Sequence, residues 1–443
     1  MGGNLNIWAT SAAQINLYFV FVLISFIYLL VKNRNSSFFI YILLFFYVGL
    51  FSAFSKGIFD LYKIVLTALT AYWIYRLNPI KMQSKYFFII LSFIIFTITF
   101  LFTAFINNDY FTISFSQYSR FFIFFVIFFI FIKVKADPEL TNKLNKLIFD
   151  ILFIQILLSI IKVLIIGGPR ESLVGSITSQ GGAAATSLPI LGFIFLWIKN
   201  KGVLNRKDWF FIIGLIFIGF AGAKRAIWFI MPITIAAFMY YIPKKSIPTK
   251  YVIQILVLVP LVFYLGVRLS PTLNPDHKIW GRFDLQHTLD YAEYYSVGDF
   301  DEEETPTRGR VNSTMLVFED LFTKKLEKED WFGHGLRFIF ASSFEEFKEM
   351  GFDISHKGSA TGIYQTLIAN GYLGIFSFLF FSLSLLFYNN VFRIRVVLLL
   401  LFLWEYLFYT GIMFRDYALA VLIIYAIVFS SRSAELTPDK IQN

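Results

Sequence analysis

Apolar runs of about 15 to 25 residues, hydrophobic on every side, recur along this chain and are separated by short polar connections. A helix buried on one face in water would alternate at period 3.6 and a half-buried strand at period 2. These runs do neither, so they read as helices surrounded by hydrocarbon, where the helix pairs its own backbone groups. They cover 15–31, 38–54, 59–75, 86–106, 120–133, 148–166, 184–199, 208–223, 226–242, 251–268, 362–388, 396–413 and 417–431. Several are short, which predicts tilting or local thinning of the bilayer. No basic residue precedes the first run, so it reads as a retained helix rather than a signal peptide.

The pattern stops at Ser270 and resumes only after Ala360, with roughly 90 polar residues between, too many for a structureless connection. Apolar residues at helical spacing predict cap helices over 283–295 and 312–328, with a third over 343–350. The fold class that follows is an all-α polytopic membrane protein. About thirteen transmembrane helices carry one large, partly helical loop before the last three. Residues 1–268 supply ten spans, 269–361 the loop subdomain, 362–431 three more spans and 432–443 a polar tail. No internal repeat is evident.

Composition agrees: 57% of residues are hydrophobic, 57 are Phe, and the mean hydropathy is +0.67. Charge adds an orientation. Alternate connections hold Lys32/Arg34, Arg76/Lys81/Lys85, Lys133/Lys135/Lys143/Lys146, Lys199/Lys201/Arg206/Lys207, Lys244/Lys245/Lys250 and Arg393/Arg395. With Arg432 and Lys440 these are 20 of the 39 basic residues. The opposite short connections hold Lys56, Arg120, Arg170, Lys224, Arg225 and Arg415. The positive-inside bias therefore puts the first set in the cytoplasm and the amino terminus and large loop outside. Between residues 270 and 360 there are 18 acids against 10 bases, so the net +10 of the chain understates the cationic membrane part. That excess is positive-inside charge and points to no nucleic acid.

The chain has no Cys, which excludes disulfides, thiolate metal sites and a Cys nucleophile. It also has no Gly-rich phosphate loop and no His-Glu-x-x-His zinc helix. The acid run Asp299–Glu304 reads as a solvated turn. Cations on the disfavoured outer side are more informative. Lys224-Arg225 sits at a tight junction between two apolar runs, and anchoring by snorkelling is its plain alternative. An anionic ligand fits two adjacent cations better, since guanidinium grips phosphate oxygens with a rigid fork. Arg120 and Arg170 stand alone, Arg310 opens a cap helix, and Arg337 follows the Gly333-His334-Gly335 turn. Arg415-Asp416 reads as a local ion pair. Lys63 and Lys162 are the main cations within runs. His356, just before the re-entering run, is placed to take a hydroxyl proton. His334 reads as a turn residue, and His277 and His287 have no evident partners.

Three segments resemble the O-antigen polymerase and ligase superfamily of membrane glycosyltransferases, the Wzy and WaaL type. Gly222-Ala-Lys-Arg225-Ala-Ile-Trp is similar to that family's Ser-Arg-Gly segment at the outer end of a mid-chain helix. Arg310 followed by Trp331-Phe-Gly-His-Gly335 resembles its Arg segment leading to a glycine turn. Tyr364-Gln-Thr-Leu-Ile-Ala-Asn-Gly371-Tyr-Leu-Gly374 resembles its re-entry helix. One departure matters: the ligase pattern places its His where this chain has Ala360, with His356 a turn earlier, which favours the more variable polymerases. The resemblance implies transfer of a glycan, en bloc, from undecaprenyl diphosphate to a sugar hydroxyl of another lipid-linked repeat unit. That reaction takes place at the outer face of the cytoplasmic membrane, without metal or other cofactor.

The implied catalytic residues are His356, Arg225 and Arg310. Arg225, Arg310, Lys224, Arg120, Arg170 and Arg337 would hold the diphosphate. Implied partners are the donor and acceptor lipids, bilayer lipid and a chain-length regulator protein. Alternatives are ligase-type transfer to a lipid A core or other acceptor, and a polysaccharide flippase or exporter. The orientation is directly testable in this Cys-free chain. Asp301→Cys is expected to react with an impermeant thiol reagent applied outside intact cells or spheroplasts, and Lys201→Cys to stay unlabelled; the reverse pattern would invert the topology.

Overall fold

The computed structural model describes residues 12–76, 84–166, 174–177, 184–222, 224–243, 249–297, 299–300, 307–308, 310–323, 325–336, 361–409 and 416–431. Helices coincide with the apolar runs. They are α1 (Ala12–Lys32), α2 (Ser37–Leu44), α3 (Val48–Phe54), α4 (Lys56–Arg76), α5 (Ser84–Ile106), α6 (Phe111–Ala136) and α7 (Pro138–Ile166). They continue with α8 (Ala184–Lys199), α9 (Arg206–Ala221), α10 (Ala226–Ala236) and α11 (Thr249–Leu269). The segment after α11 adds α12 (Leu285–Val297), α13 (Arg310–Thr323) and α14 (Lys328–Phe332). Helices α15 (Gly362–Phe387), α16 (Phe392–Phe408) and α17 (Tyr417–Phe429) follow. Two antiparallel two-residue strands, β1 (Asp299–Phe300) and β2 (Thr307–Arg308), link α12 to α13 in register Asp299↔Arg308.

The fold is thus all-helical, and among the described residues five helices are long and apolar enough to cross a membrane: those ending at Lys32, Arg76, Ile106, Ile165 and Phe387. Helix α1 exposes Leu17, Val20, Ile24, Ile27, Tyr28 and Val31. An apolar face of that extent is unstable against water and at home against lipid tails. Helix α17 is buried almost all round, packed between α6 and α8, as expected of a helix apolar on every side. Around it the core is dense in Phe and Tyr, including Phe124, Phe128, Phe131, Phe193, Phe195 and Tyr425.

The run 38–54 departs from expectation: it is two short helices, α2 and α3, not one span. The break exposes backbone groups that hydrocarbon cannot satisfy, and a buried residue from elsewhere satisfies them. Ser176 Oγ donates to the Phe46 carbonyl at 2.9 Å, and the Gly49 N–H donates to the Ser176 carbonyl at 2.8 Å. Gln155 of α7 holds Ser176 in turn, accepting its N–H at 2.7 Å and donating to its Oγ at 2.9 Å. Tyr18 of α1 donates to the Gly175 carbonyl at 2.6 Å. Lys162 lies over the Tyr18 ring, 4.9 Å from its centre, and Lys63 pairs with Asp60 at 3.0 Å.

The polar segment is folded where it is described. Asn274, fully buried, donates to the Ser270 and Lys278 carbonyls at 2.9 Å each and so closes a turn onto the end of α11. Trp228 of α10 donates to Ser270 Oγ at 3.0 Å. The two expected cap helices exist with shifted ends, as α12 and α13. The expected helix over 343–350 lies outside the described residues, and α14 was not anticipated. In the acid run, Asp299 belongs to β1, and residues 301–304 lie outside the described residues. His277 and His287 do have company: their rings pack edge to face at 5.9 Å, and His277 Nδ1 lies 3.2 Å from the Pro271 carbonyl.

Removing the hydroxyl at the α2–α3 break leaves a buried carbonyl unpaired. Ser176→Ala is therefore expected to cost about 1–3 kcal/mol of stability, read by unfolding in detergent micelles. Wild-type stability would contradict the pairing.

Candidate functional site

Helix α15 sets up the site because it is broken. Gly371 stands at φ 64°, ψ −165°, inside an otherwise regular helix. That conformation suits glycine, and it interrupts the i→i+4 ladder of the helix. The Ile368 carbonyl accepts instead from the His334 N–H at 2.7 Å. The Trp331–Gly335 turn is therefore seated directly on the break. Contact is backbone to backbone: a Cβ on Gly371 would lie 2.4 Å from the Trp331 carbonyl, and one on Gly333 2.6 Å from the Asn370 nitrogen. Gly333 and Gly335 themselves have φ of 72° and 108°, so the turn needs glycine for conformation as well as for space.

The end of α5 completes the joint. Asn107 Nδ2 donates to the Phe332 carbonyl at 3.0 Å, Asp109 Oδ2 accepts from the Leu336 N–H at 2.9 Å, and Asn370 Nδ2 donates to Thr103 Oγ1 at 2.6 Å. Two of the three segments singled out in the sequence thus meet in space, and His334 acts there through its backbone.

A second joint lies where α13 meets the ends of α15 and α16. Thr314 Oγ1 donates to the Leu407 carbonyl and lies 3.2 Å from Thr361 Oγ1; Tyr372 donates to the Val317 carbonyl at 2.7 Å. The Gly362 N–H donates to the Tyr409 carbonyl at 2.6 Å. These bonds fix the first residue of α13, Arg310, over the Tyr409 ring at 4.6 Å from its centre. In the last turn of α16 is Glu405, 2% exposed. Ser187, in the first turn of α8, donates to Glu405 Oε1 at 2.5 Å. Glu405 Oε2 is buried and makes no hydrogen bond among the described residues. The charges whose fields reach this carboxyl are Arg310 and Asp416. Arg120 of α6 lies 5.8 Å from the centre of the Tyr417 ring, the residue after Asp416, and its charge acts on that tyrosine. An arginine pair and two carboxyl groups are thereby gathered at one end of the bundle, where α8, α13, α15 and α17 start and α16 stops.

Arg225 stands at the junction of α9 and α10, both of which pack on α8. Its guanidinium covers the Tyr291 ring of α12 at 4.5 Å, and α12 packs on α13. The α9–α10 junction that carries it is tight. A Cβ on Gly222 would lie 2.5 Å from Ala185 Cβ, two residues before Ser187. Lys224 donates its N–H to the Gly219 carbonyl at 3.1 Å. So the structure brings Arg310 and Arg120 toward one polar centre and puts Lys224-Arg225 at an adjoining junction that shares α8. His356, Arg170, Arg337 and Arg415 lie outside the described residues. Among the described residues no group of three or more metal-ligating side chains occurs.

Sequence reasoning missed Glu405, Ser187, Tyr409 and Tyr291. Glu405 carried a usable signal, as the one acid in the apolar run 396–413. The tyrosines carried none, because arginine stacking depends on which rings the tertiary fold brings near. No protein-family model, curated protein or solved structure matches the chain.

The α14–α15 interlock gives a sharp expectation. Gly371→Ala combines a disfavoured φ with a Cβ inside the Trp331 backbone, so it is expected to broaden or abolish the monodisperse peak in detergent size-exclusion chromatography. Normal elution with wild-type melting would show that the two elements do not meet there.

Proposed function

We propose that this protein is a polysaccharide polymerase of the cytoplasmic membrane, transferring a lipid-diphosphate-linked glycan onto a sugar hydroxyl of another lipid-linked repeat unit. In this reading all thirteen apolar runs lie within the bilayer, α2 and α3 sharing one of them. The α12–α14 segment faces outward as a cap, and the amino terminus is outside. What supports the reading is that Arg310 and Arg120 both stand toward the end of the bundle that the charge bias of the connections would place outside. The positive-inside bias works against cations on that side, so an anionic ligand is the reason to keep them.

The chemistry asks for little else. The diphosphate is already a good leaving group, and negative charge grows on it as the glycosidic bond breaks. Guanidinium groups fixed in place before the reaction stabilise that charge without reorganising. Arg310 lies over the Tyr409 ring and Arg225 over the Tyr291 ring, and these cation–π contacts help to position both guanidinium groups. Arg170, Arg337 and Lys224 are further members of the proposed diphosphate set, and His356 is the candidate for orienting the acceptor hydroxyl. The resemblance of the Arg225, Arg310 and Tyr364–Gly374 segments to the O-antigen polymerase and ligase superfamily supports the same assignment.

The test is reconstitution. Purified protein in lipid nanodiscs, given lipid-linked repeat units extracted from its own cells as sole substrate, is expected to make a ladder. Arg310→Ala and Arg225→Ala are expected to keep the wild-type elution profile and lose about 10²–10³-fold in rate. A ladder of wild-type rate and length from either variant would remove that arginine from the mechanism. A single transfer to a non-lipid-linked acceptor, without a ladder, would make the protein a ligase instead.

A further inference from the structure

We propose that Glu405 receives the proton of the attacking sugar hydroxyl. This rests on the polymerase reading above. A carboxylate in a run of apolar residues is costly to bury and persists where something uses it. Here its two oxygens are treated differently. Oε1 is pinned by Ser187 at 2.5 Å, which fixes the plane of the group. Oε2 is buried without a hydrogen bond among the described residues. In the step proposed here the group acts as the carboxylate, whose second oxygen takes a donor, and the acceptor substrate is the component of the reaction that brings an O–H.

Placement favours the same conclusion. Glu405 lies in the last turn of α16. The carbonyl of Leu407, two residues on, accepts from Thr314 of α13, and Arg310, the residue that opens α13, acts on the carboxyl through its charge. The proposed proton acceptor and a proposed diphosphate ligand therefore belong to one joint, as attack and departure on opposite sides of a single sugar carbon require. In the step, the acceptor oxygen forms a bond to C1 of the donor sugar. The bond from C1 to the phosphate oxygen breaks, and its electron pair leaves with the lipid diphosphate. The hydroxyl proton passes to Glu405 Oε2, to be released to water between cycles. His356 is left to orient the acceptor. The plainer role for Glu405 is counter-charge for Arg310, and the two make different kinetic predictions.

The experiment compares Glu405→Gln with wild type in nanodiscs on the same lipid-linked repeat units, varying donor concentration. The amide keeps an oxygen for Ser187 but takes no proton. The expected result is a kcat lower by about 10²–10⁴-fold with KM for the donor unchanged. A wild-type kcat overturns the proposal, and so does a loss confined to KM, which is what a counter-charge role gives. Should Glu405→Gln fail to elute as the wild type does, Ser187→Ala decides. It keeps the carboxyl and frees its orientation, so kcat is expected to fall about tenfold or more at constant KM; an unchanged kcat overturns the proposal. If wild-type protein itself makes no polymer, the polymerase reading falls and this inference with it. A polymerising wild type with an equally active Glu405→Gln sinks the inference alone.

Discussion

The bond from the His334 N–H to the Ile368 carbonyl is the contact on which the rest of the site depends. In a helix surrounded by hydrocarbon, an interrupted ladder leaves polar groups with no water to turn to. Gly371 makes that interruption, and the Gly333-His334-Gly335 turn fills it with another stretch of backbone. The same bargain recurs at the α2–α3 break, where Ser176 and Gln155 do the pairing. Irregular backbone at these two places is thus bought by specific partners from distant sequence. At Gly371 it ties the polar segment to the bundle.

From that joint the electrostatics follow. Seating α14 on α15, and α13 across the ends of α15 and α16, brings Arg310 onto Tyr409 and close to Glu405. Arg120 approaches Tyr417 from α6. Of these cations and carboxyl groups Glu405 alone is buried, and one of its oxygens makes no hydrogen bond among the described residues.

The apolar runs were legible because their signal is composition over many residues, and helices stand on each of them. Cap helices α12 and α13 were legible from periodicity, with ends misplaced by a few residues. What escaped were features set by tertiary partners. Residues 38–54 read as one span because nothing local marks the break that Ser176 satisfies. Helix α14 spans five residues, below what periodicity can register. At the site, the arginines were visible through their conflict with the orientation that the positive-inside bias predicts. Their stacking on Tyr409 and Tyr291 was not, since those rings lie about 100 and 66 positions away in sequence. Glu405 could have been found by asking why an acid interrupts 396–413.

The central claim is that the guanidinium groups at the outer helix ends hold a lipid diphosphate. A cryo-EM map of the protein in nanodiscs with undecaprenyl diphosphate tests it most directly. The account predicts density for the two phosphates against Arg310, between the start of α13 and the Tyr417 end of α17, with the polyprenyl chain leaving into the bilayer. Phosphate density at another face, with Arg310 and Arg120 contacting protein alone, would contradict it.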